Sequence, residues 1–402
     1  MPLPLREAIR VAASSLVLVA AVAPASAFAA DAPPSPDPVR AAIARAQSAE
    51  GLLPGRAEEH RRTYAAAQRR LERLGGLPRR ELRAVVRLTR DIARRGALRS
   101  SRMPAVFLTL RRNTEWWSGH GPPAAGSPGE KNARGRVCKP FPRARTARLM
   151  FPGSRVVFQY YPGLGLQIQV LATFATAQAQ LSIGDPAADA LALATLDEMV
   201  PLVSDRGGLT AWEYFFPFAG AKAPWTSTIS QATAVRALVV AGTRLNRPDL
   251  VALARRGVAV FATPAPLGVR VPLAKDGNWY VLYSFAPGLR VLNAHLQTLN
   301  GLHDVAELTG DARAGRLYRD GLRAARRRIG AFDTGRWSKY ANPGAEADLN
   351  YHVLNRDLAR GVCKRSSERA ICDAARRYTD YLERRCPRPS AAAGTARRPQ
   401  RP

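Results

Sequence analysis

From residue 166 to residue 384 the sequence keeps one rhythm: a stretch of helical periodicity, a loop rich in aromatics, Gly and Pro, then another helical stretch. The periodicity predicts helices over 166–181, 186–203, 230–245, 248–261, 291–309, 311–329 and 366–384. Short links make consecutive helices antiparallel neighbours. Such pairs build a mainly α structure, an (α/α) toroid or incomplete barrel, in which inner helices line a cleft and the loops at one end carry a site. An irregular helical bundle has the same rhythm, and no short exact repeat separates the two readings. A small β-region opens this part of the chain, with Val156, Val157, Phe158, Tyr160 and Tyr161 between turns at Gly153 and Pro162-Gly163.

The rest of the 402 residues divides around that block. Residues 1–29 read as a signal peptide. Arg6 and Arg10 precede an apolar run, 11–23, too short to span a bilayer comfortably, and Ala25-Ser26-Ala27 fits a cleavage site. Residues 30–118 form an N-terminal helical region, with helices predicted over 38–52, 57–74 and 78–96. The segment 105–117 reads as a helix or a buried strand. Residues 119–146 are a loop or linker, 147–386 the main domain, and 387–402 a Pro/Arg/Ala-rich tail expected to be disordered. The expected location is outside the cell or in its envelope, with no stable membrane insertion.

Four cysteines in an exported chain predict two disulfides, and four allow three connectivities. Cys363 and Cys372 lie close in sequence on either side of a turn and are paired, which leaves Cys138 with Cys386. No C-x-x-C is present and the five histidines are scattered, so neither a metal nor a cofactor is expected. The net charge of +30 favours polyanions. Export sets nucleic acid aside and leaves an acidic polysaccharide as the expected partner. The arginines also suit plain solvation of outer helix faces, and both explanations stand on sequence grounds. Oligomeric state is open, with a homodimer as the candidate.

Several segments resemble one family in order and spacing. They are Pro224-Trp225-Thr226-Ser227 leading into Ser230-Gln231-Ala232; Val291-Leu292-Asn293 continuing to Leu299, Gly301-Leu302 and Asp304; Leu317-Tyr318 with Gly321; Phe332-Asp333-Thr334-Gly335 with Tyr340; and Leu349-Asn350-Tyr351-His352. This is similar to the C-terminal catalytic domain of the D-glucuronyl C5-epimerases and covers residues 212–382. The resemblance implies inversion at C5 of D-glucuronate to L-iduronate in a heparosan-like polymer, without a redox cofactor.

That reaction removes a weakly acidic hydrogen beside a carboxylate. It needs a base on one face of the sugar, an acid on the other, and positive charge where the enolate-like dianion develops. A tyrosine serves as base only if a cation holds it as phenolate, because its free pKa is about 10. The resemblance places the acid and base at Tyr283 and Tyr351, with Tyr340 third. Animal members carry a glutamate before the first of these tyrosines; here the position is Leu282, and Glu213 is the candidate substitute. The expected substrate-binding set is Tyr160, Tyr161, Gln167, Glu213, Trp225, Gln231, Asn293, Arg290, Asn350 and His352. Tyr160, Tyr161, Gln167 and Gln169 combine stacking rings with amides, as sugar sites do. Arg290, Arg336 and Arg356 are candidates to clamp a carboxylate. Asn293, Gln297, Asn300 and Asp304 share one helix face, which is either a sugar cleft or solvated surface. A polysaccharide lyase, which begins with the same proton abstraction, and a non-catalytic glycan-binding protein remain the alternatives.

Overall fold

The computed structural model describes residues 37–124 and 147–386. They fall into two compact units, one ending at Gly119 and one beginning at His120. The predicted signal peptide, Cys138 and the C-terminal tail lie outside the described residues.

Among the described residues the first unit has four α-helices: α1 (Pro38–Ala49), α2 (Pro54–Arg73), α3 (Gly76–Arg94) and α4 (Met103–Trp116). The segment left open between helix and strand is helical. Asp37 caps α1 by accepting the amides of Val39 and Arg40. The same carboxylate accepts the Tyr64 hydroxyl at 2.8 Å, and Arg90 Nε donates to that hydroxyl at 2.6 Å, tying α1, α2 and α3 together. Ile43, Tyr64, Leu82, Ile92, Met103 and Leu110 fill the core. His60 stacks on Phe107 at 4.3 Å, and burial lowers its pKa to about 4.

The second unit begins with an antiparallel sheet of β1 (Arg148–Leu149), β2 (Phe158–Tyr161) and β3 (Gly165–Ile168). Helices α5 (Val170–Leu181) and α6 (Pro186–Met199) follow, then short strands β4 (Ser204–Asp205), β5 (Thr210–Ala211), β6 (Glu213–Tyr214) and β7 (Trp225–Thr226). The next group is α7 (Thr228–Arg244), α8 (Pro248–Gly257), α9 (Ala259–Ala262), β8 (Arg270–Pro272), β9 (Asn278–Tyr280) and β10 (Arg290–Val291). The chain ends with α10 (Leu292–Thr309), α11 (Ala312–Arg328), β11 (Ala341–Asn342), α12 (Leu349–Ser366) and α13 (Arg369–Arg385).

Helix packing resolves the choice between toroid and bundle. The helices α5, α7, α10 and α12 pack on one another in that order, and each takes its sequence successor (α6, α8, α11, α13) on its outer side. This is an incomplete (α/α) barrel: an arc of inner helices backed by outer ones. Both α7 and α10 are buried on nearly every face, which marks them as inner elements. They approach closely at Gly301, where a Cβ would lie 2.8 Å from Ala232 O. One helix escaped the sequence reading, because 349–366 carries too much charge and too little apolar periodicity to stand out. The predicted helix 248–261 is two helices, α8 and α9. Cys363 and Cys372 form a disulfide across the turn from α12 to α13, with Cα atoms 4.9 Å apart. Cys386, the other described cysteine, is buried and not a free thiol.

The inner helices share a device that no sequence repeat announced. The fourth residue of each one accepts a backbone N–H from the segment that precedes it. Thr173 takes Val157 N at 3.0 Å, Gln231 takes Trp212 N at 3.2 Å, His295 takes Tyr280 N at 3.1 Å and His352 takes Ser338 N at 3.1 Å. In the last three, the same side chain bonds a carbonyl beyond the paired inner helix: Gly257 on α8, Gly321 on α11 and Tyr378 on α13. Each such residue pins the incoming loop to the inner helix and the inner helix to its outer partner. Because Nδ1 of each histidine accepts an amide, Nε2 carries the proton and donates. His295 stacks on Trp279 at 3.9 Å and His352 on Trp337 at 3.5 Å, and burial lowers their pKa values to about 3 and about 4.

Candidate active site

The pinned loops converge on the N-terminal ends of the inner helices, and they bring tyrosines. Tyr161 ends β2. Tyr214, on β6, sits over two helix starts: the amide of Leu171 on α5 donates to its hydroxyl at 3.3 Å, and the hydroxyl meets Ser230 Oγ on α7 at 2.8 Å. Tyr283 is bridged in antiparallel fashion to Ser227, immediately before α7. Tyr340 precedes β11, and its carbonyl accepts the first amide of α10, Leu292 N, at 3.2 Å. Tyr351 is on the first turn of α12, and the residue is 40% exposed.

Tyr340 is the hub. The phenols of Tyr283 and Tyr351 both act on it, and its ring lies 4.6 Å from that of Tyr351. Burial first, and then the two neighbouring phenols, push its pKa well above the usual value. Burial likewise raises Tyr283, and Tyr351 raises it further. For Tyr351, burial and the Asp348 carboxylate raise the pKa, while Tyr340 and Arg148 oppose them. Tyr161 and Tyr214 are raised by burial and are also held down in part by Arg148. At rest the cluster is therefore a set of neutral phenols.

Two sources of positive potential face it. Arg148, on β1, is held by a 3.0 Å bond from Nε to Gln159 Oε1, and its field reaches Tyr161, Tyr214 and Tyr351. The second source is the helix starts. No side chain caps α5, α7 or α10, so their N-terminal dipoles meet the cluster without a neutralising carboxylate. Only α12 among the inner helices has a side-chain cap, Asp348. Two donors beside the start of α10, Arg290 Nε and Asn293 Nδ2, are buried without a partner among the described residues. Unpaired buried donors are destabilising unless a ligand takes them up. One wall is aromatic: Trp225 stacks on Tyr214 at 4.4 Å and meets Tyr283 edge-on at 5.7 Å, and the half-buried rings of Phe218 and Phe285 flank Tyr283 at 5.3 Å.

The family described as D-glucuronyl C5-epimerase C-terminus matches residues 206–380. This stretch is similar to a D-glucuronyl C5-epimerase C-terminal domain over a little under half of the chain. An uncharacterized protein of Methanocaldococcus jannaschii is 25% identical over 151 residues, 36% of this chain and 49% of that protein. The chain thus spans about half the length of the curated relative it matches. Among solved structures, the α-mannanase of Bacteroides thetaiotaomicron is similar with a TM-score of 0.43 and 9% identity, covering 59% of this chain and 66% of that one. Cellobiose 2-epimerase of Spirochaeta thermophila gives 0.40 at 13% identity, covering 77% and 74%. The unsaturated glucuronyl hydrolase of Bacillus sp. GL1 gives 0.35 at 15%, covering 82% and 85%.

Of the residues singled out in this stretch and the β-region before it, the structure brings together Tyr283, Tyr340, Tyr351, Tyr161 and Trp225. Gln231 and His352 are placed differently: they are fully buried struts, and Gln231 spends its amide on Thr210 O, Gly257 O and Trp212 N. Gln167 bonds Leu164 O and holds the β2–β3 turn, while Gln169 donates to the Tyr161 hydroxyl at 2.8 Å. Tyr160 is half-buried on β2 opposite Leu166. Asn350 is exposed on the first turn of α12.

Glu213 does not substitute for the family glutamate. Neighbouring residues of a strand face opposite ways, so with Tyr214 on the cluster Glu213 points behind it, to Arg206 at 3.3 Å. Leu282 packs in an apolar cluster with Ile229, Val291, Ala294 and Ala341. The carboxylate that acts on a cluster tyrosine is Asp348. Arg336 and Arg356 are engaged with Glu346 and Asp357. Beyond Asn293, the polar face of α10 is taken up by contacts to neighbouring helices. Gln297 bonds Thr233 on α7, Asn300 bonds Leu358 O on α12, and Asp304 binds Arg236 at 2.6 Å and Arg365 at 2.7 Å.

Sequence reasoning missed Tyr214 and Arg148. Two-residue alternation in Trp212-Glu213-Tyr214 would have put Trp212 and Tyr214 on one face and Glu213 on the other. Arg148 carried no such signal among so many arginines.

Proposed function

We propose that the second unit epimerises C5 of D-glucuronate residues within an acidic, heparosan-like polysaccharide. The observation that carries this reading is the trio Tyr283–Tyr340–Tyr351. Tyr283, from the loop before α10, and Tyr351, on α12, flank Tyr340, in a stretch that matches the C5-epimerase family. In the reactive form one of the outer tyrosines has given up its own proton to solvent, and the resulting phenolate takes the C5 proton. The electron pair moves into the adjacent carboxylate, whose growing charge meets Arg148, the uncapped helix starts and the free donors Arg290 Nε and Asn293 Nδ2. The tyrosine on the opposite face gives its proton to C5, and the configuration inverts. The outer tyrosines have then exchanged roles, and the Tyr340 hydroxyl between them offers a path that resets the pair. The aromatic wall of Trp225, Phe218 and Phe285 supplies stacking surface for the sugars.

Incubation of the protein with heparosan in deuterated water, followed by NMR, tests the reading. Iduronate signals with deuterium at C5 support it. Deuterium accompanied by an unsaturated uronate would make the domain a lyase. Intact polymer without deuterium, on heparosan and on related glucuronate polymers, would leave a binding protein.

A further inference from the structure

The N-terminal unit carries nineteen arginines against eight carboxylates and no lysine between residues 37 and 119. The placement of some of them is more telling than the number. Helix α3 buries Leu82, Val85, Val86, Ile92 and Ala93 on one side. Its other side presents Arg79, Arg83 and Arg87 at four-residue spacing, all exposed, with no ion pair or hydrogen bond to any described residue. Like charges four apart destabilise a helix. Some surface arginines meet neighbouring carboxylates, as Arg56 meets Glu59 and Arg94 meets Asp91, while others, such as Arg313, Arg316 and Arg319 on α11, are unpaired among the described residues like the α3 row. What sets the α3 row apart is the groove beside it.

The row borders a groove of about 350 Å³ between α2 and α3, lined by Leu71, Glu72, Arg79, Arg83, Val86, Arg87 and Arg90. Leu71 and Val86 give it an apolar floor. Arg90 closes one end and is locked by Tyr64 and by Asp37 at 3.4 Å. Glu72 is the one carboxylate on the lining. Eight residues of helix rise about 12 Å, so the three free guanidiniums form a line rather than a point. A planar guanidinium binds carboxylate or sulfate through two parallel bonds.

We propose that this groove is a second, non-catalytic binding site for an acidic polysaccharide chain. Its preference for a linear polyanion follows from the arginine row. The choice of a uronate polymer over nucleic acid rests on the epimerase reading of the second unit. The site holds polymer on the same molecule whose other unit acts on it, and a tethered segment raises the local concentration of reactive residues.

The test measures binding of the full-length chain to immobilised heparosan across a salt series, with Y351F as an inactive form. Y351F should bind like the wild type, which separates this site from the chemistry. R79E/R83E/R87E should weaken binding at least ten-fold and flatten the salt dependence. R79Q/R83Q/R87Q serves if the charge reversal disturbs folding, and should weaken binding several-fold. R313E/R316E/R319E, which reverses three exposed arginines of α11, should change binding less than two-fold. Unaltered affinity in both α3 variants, or equal losses in the α3 and α11 variants, overturns the site. Tighter binding of duplex DNA or of phosphatidylserine vesicles than of heparosan at the same salt overturns the assigned ligand. Each of these outcomes can be read even if no C5 exchange is found.

Discussion

The inner helices of the second unit bury polar groups at both ends, in opposite ways. At their N-terminal ends a cluster of phenols stays neutral, raised above its ordinary titration range by burial, with Arg148 and bare helix starts beside it. Further along α10, Asp304 is ionised and shared between Arg236 on α7 and Arg365 on α12. Burial alone would raise its pKa, but the bonds from Arg365 and the field of Arg236 hold it below the carboxylate range. The second arrangement is finished: its charge is matched in the resting protein and serves to clamp three inner helices. The first is unfinished, because positive potential waits for a negative charge that the resting site does not contain. A scaffold stores nothing useful that way, whereas a site that stabilises a transient dianion does.

Five substitutions sharpen or break that contrast. Tyr351→Phe and Tyr283→Phe should each lower epimerisation about 10²–10⁴-fold, the usual contribution of a positioned acid or base. Stability should change by no more than about 0.5 kcal/mol for the exposed Tyr351. Urea titration beside NMR rates measures both effects. Arg148→Gln should lower the rate about 10²-fold, as loss of one charge-stabilising donor does. It should also shift the basic limb of the rate profile upward, since Arg148 lowers the pKa of Tyr351. A limb that stays in place or moves down would show that another cation serves the cluster.

Asp304→Ala should reverse the pattern, losing about 3 kcal/mol of stability while the rate per folded molecule holds. Its depressed pKa stabilises the fold above the unfolded carboxylate value near 3.9. That contribution disappears as pH falls through the lower folded value, so the variant should have a shallower acid-unfolding limb. The smallest effect belongs to His352→Phe, which removes bonds to Ser338 N and Tyr378 O. It should lower stability by about 1–3 kcal/mol. Being neutral in the fold, with a pKa of about 4, His352 favours folding above its unfolded value near 6.5. This support is lost as pH falls toward 4, and the variant should not show that portion of the pH dependence.

The same contrast explains what the sequence disclosed. Helix pairs were readable because apolar periodicity is a local signal, and Tyr283, Tyr340 and Tyr351 were readable because short motifs surround them. Local signals do not say which way a polar residue faces. Asn293, Gln297, Asn300 and Asp304 formed a visible stripe, yet its meaning depended on Thr233, Leu358, Arg236 and Arg365, all far away in sequence. The pin at the fourth position of each inner helix was hidden for a related reason. Thr, Gln and His fill the same role, so only Leu292-Asn293-Ala294-His295 and Leu349-Asn350-Tyr351-His352 look alike. Gln231 and His352 lie in family motifs yet are struts, because such motifs mark structural struts as strongly as they mark chemistry.

The central claim is that Tyr283 and Tyr351 serve opposite faces of C5. It is tested most directly by following C5 hydrogen exchange in deuterated water for Tyr283→Phe and Tyr351→Phe, each starting from a D-glucuronate polymer and from its L-iduronate counterpart. Each variant should retain exchange from one epimer and lose it from the other, with the retained epimer opposite in the two variants. Loss of exchange from the same epimer in both variants, or undiminished epimerisation in either, would contradict the two-faced tyrosine site.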